Sequence, residues 1–149
     1  MFFQLIISNV IALALLFVCW KYPRYGRYAY GVIFLIAGVV NIMTTWAGPS
    51  VYLQYRNHVI LKVYRAFIDG YFEQHIQEII LVIAIGQFLL ALGFFYGSFL
   101  LKPAIIGGIV FSIALIPLGI GAALPLPIIM GFSLWVLLAK GSHFDKVLT

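Results

Sequence analysis

Uncharged apolar stretches alternate with short polar breaks along this chain, and their lengths sort them. Phe2 to Trp20 runs nineteen residues without a charge and is followed by Lys21-Tyr22-Pro23-Arg24. Ala29 to Ala47 is closed by Gly48-Pro49, and Ile79 to Leu101 by Lys102-Pro103. Each is near the ~20 residues that cross ~30 Å of hydrocarbon as a helix. The first run has no leading Lys or Arg and no small-residue cleavage pattern, so it reads as a retained span rather than a secretory signal. Ala104 to Ala139 is thirty-six residues without a charge, and as one helix it would reach about 54 Å. Pro125-Leu126-Pro127 interrupts it, since two close prolines remove two backbone donors and crowd the preceding turns. The pattern predicts two helices there, joined by a tight turn. The expected fold is all-α. It is a polytopic membrane helix bundle in one domain over residues 1–149, with five spans at 2–20, 29–47, 79–101, 104–122 and 126–139. The alternative is four spans with a long kinked last helix.

Between the second and third spans, Ser50 to Gln77 has a different pattern. Val59, Val63, Phe67 and Tyr71 recur at helical spacing, opposed by a polar stripe of His58, Lys62, Arg65, Asp69 and Glu73. This predicts an amphipathic helix over 51–69 lying at the membrane interface, with Gly70 as the break before the third span. Two roles fit it. The stripe simply faces water, or the helix forms a lid that offers Arg65, Asp69 and His75 to a ligand held between the spans. Glu78 stands in the first turn of the third span, where the helix dipole favours a carboxylate. His75 precedes it by three residues and shares its face if the helix begins that early.

Composition turns the apolar runs into a statement about solvent. Hydrophobic residues make up 64% of the chain and charged residues 9%, with a mean hydropathy of +1.12. A soluble domain is about half apolar and about a quarter charged. The net charge of +5 comes from basic residues that flank the runs, with no dense patch to neutralise phosphates, so nucleic acid is not an expected partner. Lys21, Arg24, Arg27, Lys102, Lys140 and Lys146 fall on one side of a five-span bundle, and Arg56, Lys62 and Arg65 on the other. This bias places the N-terminus outside and the C-terminus in the cytoplasm. Cys19 is the single cysteine, which excludes a disulfide exchange relay within the chain and a thiolate metal cluster. The histidines at 58, 75 and 143 lack ligand spacing, so no metal and no cofactor are expected.

Within the runs, amides are the notable chemistry, because they are costly in hydrocarbon unless turned inward. Asn9, Asn41 and Gln87 each lie two or three residues to the outer side of their span's centre. Their depths agree within about 2 Å at the helical rise. Asn41 and Gln87 are therefore expected to meet each other or one common water or ligand inside the bundle, the alternative being that each bonds its own helix carbonyl or a small water pocket alone. Gly86, Gly93 and Gly97 fall on one face of the third span, and Gly31 and Gly38 thin the second. Gly93-Phe-Phe-Tyr-Gly97 reads as close helix packing within the chain.

From Gly31 onward the order is Gly31-Val-Ile-Phe-Leu-Ile-Ala-Gly38, an aromatic-rich connector, then Glu78-Ile-Ile-Leu-Val-Ile-Ala-Ile-Gly86-Gln-Phe-Leu-Leu-Ala-Leu-Gly93. A basic-Pro pair and a final apolar hairpin follow. Over this length the chain resembles the DoxX-like family of small bacterial integral membrane proteins, with Glu78 where that family often carries an acidic residue. The resemblance implies a four-helix membrane bundle in a bacterial inner membrane, to which the first span is an addition. It also implies a link to redox or quinone systems through partner subunits.

Three functions fit these residues. One is a small accessory or subunit protein, not catalytic on its own, that binds a protein partner, a second copy or a lipophilic molecule such as a quinone or lipid near the outer leaflet. Another is a small transporter, and the third an enzyme with its polar site at the outer interface. The candidate ligand-binding residues are Asn41, Gln87, Arg65, Asp69, His75 and Glu78.

Overall fold

The computed structural model describes residues 2–119 and 124–147 of the chain. Helix α1 runs Phe2–Lys21 and α2 Pro23–Ala47, with Pro23 in the first turn where its missing N–H is harmless. A 3-10 helix, Pro49–Asn57, follows. The short α3 (Lys62–Phe67) runs into a π-helical turn, Ile68–Phe72. Helix α4 spans Ile76–Tyr96, α5 Ser98–Leu115 with a 3-10 tail at Ile116–Leu118, and α6 Leu126–Val147.

Among the described residues, three stretches are long and apolar enough to cross a membrane: α2, α4, and α5 with its tail, Ser98–Leu118. Helices α1 and α6 carry shorter apolar stretches, Ile6–Lys21 and Leu126–Gly141. The long uncharged run is divided into α5 and α6, packed against each other: α5 gives way at Leu115 to a 3-10 turn holding Pro117, and α6 starts at Leu126 with Pro127 in its first turn. The expected end of the fourth span, residue 122, lies outside the described residues. Other boundaries shift. Helix α2 begins at Pro23 rather than residue 29, and the break after the third run comes at Gly97, before Lys102-Pro103. Gly97 sits at φ +70°, a conformation open to glycine, and Pro103 is accommodated within α5.

Each long helix packs against two neighbours, closing a ring in the order α1, α2, α4, α5, α6, with α2 and α6 also touching across it. The α2–α4 seam has a heptad pattern. Arg27, Gly31, Phe34, Gly38 and Thr45 are buried on α2, and Ile80, Ala84, Gln87, Ala91 and Phe94 on α4. Alternating steps of three and four keep such stripes in register along a left-handed crossing. Small residues let the helices close. Gly31 lies against the Phe95 ring and Gly38 against the Phe88 ring, each too near for a Cβ. On α4 the packed face is not the expected glycine face: Gly86 has open space around it, whereas Gly93 lies against Ala104 of α5.

The interior has two parts. Toward the end where α2 begins, Tyr30, Phe34 and Phe94 stack with ring centroids 5.8–6.3 Å apart, backed by Cys19, Ala104, Leu134 and Leu137. Lys140 donates to the Trp20 carbonyl, which places Lys21, Arg24, Arg27 and Lys140 at this same end. At the other end a second cluster of Tyr52, Ile68, Phe72 and Ile80 joins the connector to α4. The outside of the ring is apolar, with Val10, Phe17, Met43, Val82, Leu89, Val110 and Phe132 all exposed. That is consistent with a membrane protein.

The connector is not one amphipathic helix. It folds as the 3-10 helix, α3 and the π turn, and the break before α4 comes at His75 (φ −130°, ψ 34°), not at Gly70. The π turn explains the shifted register, since one wider turn rotates every later side chain. Ile68 and Phe72 are buried, whereas Val63 is exposed and Phe67 only partly covered.

Candidate functional site

The amides of α2 and α4 come together at mid-bundle. Asn41 Nδ2 donates to Gln87 Oε1 at 2.8 Å, and Tyr52 of the connector donates its hydroxyl to Asn41 Oδ1 at 2.9 Å. Gln87 is 4% exposed, so its pairing avoids a buried polar group without a partner. Arithmetic on depth and the inward bias of amides was sufficient to expect this meeting. Asn9 lies on α1, which packs on α2 and α6.

Above the amides a cavity of about 330 Å³ opens between α2, α4, α5 and the connector. Its inner end is marked by Asn41 and Tyr52, its walls by Ile80 and Ile83 of α4 and Phe111 of α5. The roof is the connector, through Tyr64, Phe67, Ile68 and Phe72. A lid is present, but the residues it turns to the cavity are aromatic and apolar rather than charged. Arg65 is exposed on α3 and does not line the cavity. Asp69 is instead paired with Arg56 at 3.4 Å, and the same guanidinium reaches Glu73 at 3.4 Å. These half-exposed pairs tie the 3-10 helix to the π turn, each worth at most about 1 kcal/mol.

His75 and Glu78 form a separate, outer arrangement. The His75 ring stacks on Tyr71 with centroids 4.3 Å apart, and its Nδ1–H donates to the Tyr71 carbonyl at 3.0 Å. With Glu78 and Ile79 these residues line a shallow groove on the outside of α4. The six candidate residues therefore divide. Asn41 and Gln87 belong to the interior, and Arg65, Asp69, His75 and Glu78 to the connector's surface. Among the described residues, no group of three His, Cys, Asp or Glu side chains is placed to hold a metal.

The lid is fastened at the end of α5. Ile60 N–H donates to the Pro117 carbonyl at 3.0 Å, and the Tyr64 hydroxyl to the Ala114 carbonyl at 3.2 Å. Gly119 makes this possible. It lies at φ +89°, ψ −179°, and a Cβ there would fall on the His58 carbonyl. That backbone region is essentially glycine's alone, with strain of about 1–3 kcal/mol for other residues. Gly119→Ala is expected to release the latch, with the Ile60 amide exchanging its hydrogen about tenfold faster or more. Unchanged exchange at Ile60 would show that the lid does not depend on this contact.

Tyr55 also lines the cavity, and burial, with the neighbouring Tyr52, pushes its phenol above the ordinary tyrosine range. It therefore remains protonated at neutral pH. No charged side chain lines the cavity among the described residues. The aromatic lining comes from the 3-10 helix, α3 and the π turn together, so no single helical spacing in the sequence picks it out. A second functional-looking residue went unnoticed in the sequence. Arg27 reads there as a topology signal, yet it is buried and donates through Nε to the Phe94 carbonyl at 2.5 Å and through Nη2 to the Phe95 carbonyl at 2.8 Å.

No known family model, curated protein or solved structure matches this chain.

Proposed function

We propose that this chain is a small DoxX-like membrane protein that binds a lipophilic molecule in the cavity beneath the connector, near the outer leaflet, and is not catalytic on its own. The observation that carries this reading is an apolar cavity of about 330 Å³ with a hydroxyl and an amide at its inner end and a latched lid above. Such a site, apolar with a few placed polar groups, is the usual form of a small-molecule pocket. A quinone ring or one lipid tail is of suitable size. A transporter or an acid-base enzyme would want charged groups facing the cavity, and the charged residues of the connector face away. The DoxX-like reading rests on the order of Gly31, Gly38, Glu78, Gly86 and Gly93 along the chain. The protein then has five spans in a bacterial inner membrane, its amino end outside and its carboxyl end in the cytoplasm.

Two measurements test this. Organic extraction of the purified protein, followed by mass spectrometry, is expected to yield one lipophile in stoichiometric amount. Ile83→Trp, which places an indole in the cavity, is expected to lose it while unfolding at a similar temperature. A chain that carries no lipophile, and binds none when offered, does not have this function. For topology, cysteines introduced at positions 2 and 147 should label from opposite sides of the membrane. Labelling from one side would favour the four-span arrangement.

A further inference from the structure

The hydrogen-bond polarity of the cavity bears on the ligand's chemistry, and the inference rests on the lipophile-binding reading above. A phenol has one hydrogen to give and two lone pairs with which to receive. Tyr52 gives its hydrogen to Asn41, whose Oδ1 is 2.9 Å away and whose backbone carbonyl is 3.4 Å away. Turning the Asn41 amide over does not release that hydrogen, because the backbone carbonyl can only accept. Asn41 is itself held by its bond to Gln87. At the lid, Tyr64 gives its hydrogen to the carbonyl of Ala114. Both phenols line the cavity with their hydrogens already committed to protein acceptors.

A ligand with only a carbonyl or ether oxygen can accept from Tyr55 but has no hydrogen to give the Tyr52 and Tyr64 oxygens, and so makes one hydrogen bond fewer than the lining allows. A hydroxyl avoids this. Its hydrogen goes to a Tyr52 or Tyr64 oxygen, and its own oxygen can receive the hydrogen of Tyr55. We infer that the cavity selects lipophilic molecules whose head is a hydroxyl over analogues of the same size headed by a carbonyl or an ether.

Matched probes decide this: para-hexylphenol and decanol as donors, para-hexylanisole and para-hexylacetophenone as acceptors. Each is titrated by calorimetry against the full chain in phosphatidylcholine nanodiscs, with empty discs subtracted. The hydroxyl probes are expected to bind about tenfold more tightly than the other two, the size of one net hydrogen bond. The Tyr52→Phe/Tyr64→Phe variant is expected to bind all four alike. A preference shown by the phenol alone or by decanol alone supports the inference and tells whether an aromatic or an aliphatic alcohol is the source. Equal binding of all four by the unaltered chain overturns hydroxyl selection and leaves the lipophile-binding reading standing. Binding of none overturns both.

Discussion

Arg27→Ala is expected to lower the free energy of unfolding by about 2–5 kcal/mol, the largest loss from any single substitution considered for this chain. The carbonyls of Phe94 and Phe95 lose donors at 2.5 and 2.8 Å, and each acceptor left buried without a partner costs roughly 1–3 kcal/mol. These are the last carbonyls of α4, so the negative end of its dipole also loses its countercharge, worth about 0.3–1 kcal/mol. Arg27→Lys keeps the charge but not the guanidinium fork, and should recover only part of the loss. Thermal unfolding in detergent micelles, followed by near-UV circular dichroism, measures all three proteins. A loss in Arg27→Ala below about 1 kcal/mol would mean that water satisfies those carbonyls as well as the guanidinium does. Gly97→Ala provides an internal check. A Cβ there would meet the guanidinium, so part of its penalty should vanish in the Arg27→Ala background, whereas the strain of φ +70° should persist.

The amide pair gives the second large effect, and its sign changes with the number of substitutions. Gln87→Leu leaves Asn41 Nδ2 with no acceptor at mid-bundle, at a cost of about 1–3 kcal/mol. Asn41→Leu strands Gln87 in the same way. The double variant Asn41→Leu/Gln87→Leu replaces both with apolar groups of similar size, and is expected to be more stable than either single variant. Tyr52 still has the Asn41 backbone carbonyl at 3.4 Å to receive its hydrogen. The same unfolding measurement reads the three variants, and additive losses would refute a direct coupling between the amides. Retention of both amides despite a stable apolar substitute would then be explained by the Tyr52–Asn41 contact at the cavity rather than by folding.

Much of the helix layout is legible in the residues themselves. Run lengths place the long helices approximately, Gly48-Pro49 stops α2 where expected, and the last apolar stretch is indeed divided, although α5 already ends at Leu115 and Pro127 lies in α6. Depth arithmetic on Asn41 and Gln87 was enough to foresee their meeting, because an amide in hydrocarbon has few inexpensive alternatives. The connector shows the limit of such reading. Its stripe of Arg65, Asp69 and His75 has the right spacing for a lid, but the segment folds as a 3-10 helix, α3 and a π turn rather than one helix, Arg56 captures Asp69, and Tyr64, Phe67 and Phe72 face the cavity. The capture depends on how the parts of the connector fold on one another, since Arg56 lies in the 3-10 helix and Asp69 in the π turn.

Arg27 and Gly97 mark the same boundary from the other end of the bundle. In sequence Arg27 is one of several basic residues beside a span, and Gly97 the second glycine of a packing motif. Only the approach of α2 to the end of α4 turns them into a cap and the turn it requires. By itself, then, the sequence placed the long apolar helices approximately, the stop of α2 at Gly48-Pro49, and the common level of Asn41 and Gln87. The tertiary structure alone decided how each helix is rotated and which polar groups find partners. The physical reason is that in hydrocarbon an inward face and a lipid-facing one are both apolar, so hydropathy records length but carries little information about rotation. That rotation is set by a few contacts between distant residues — Gly31 on Phe95, Gly38 on Phe88, Asn41 on Gln87, Arg27 on the Phe94 carbonyl — which exist only once α2 and α4 lie side by side.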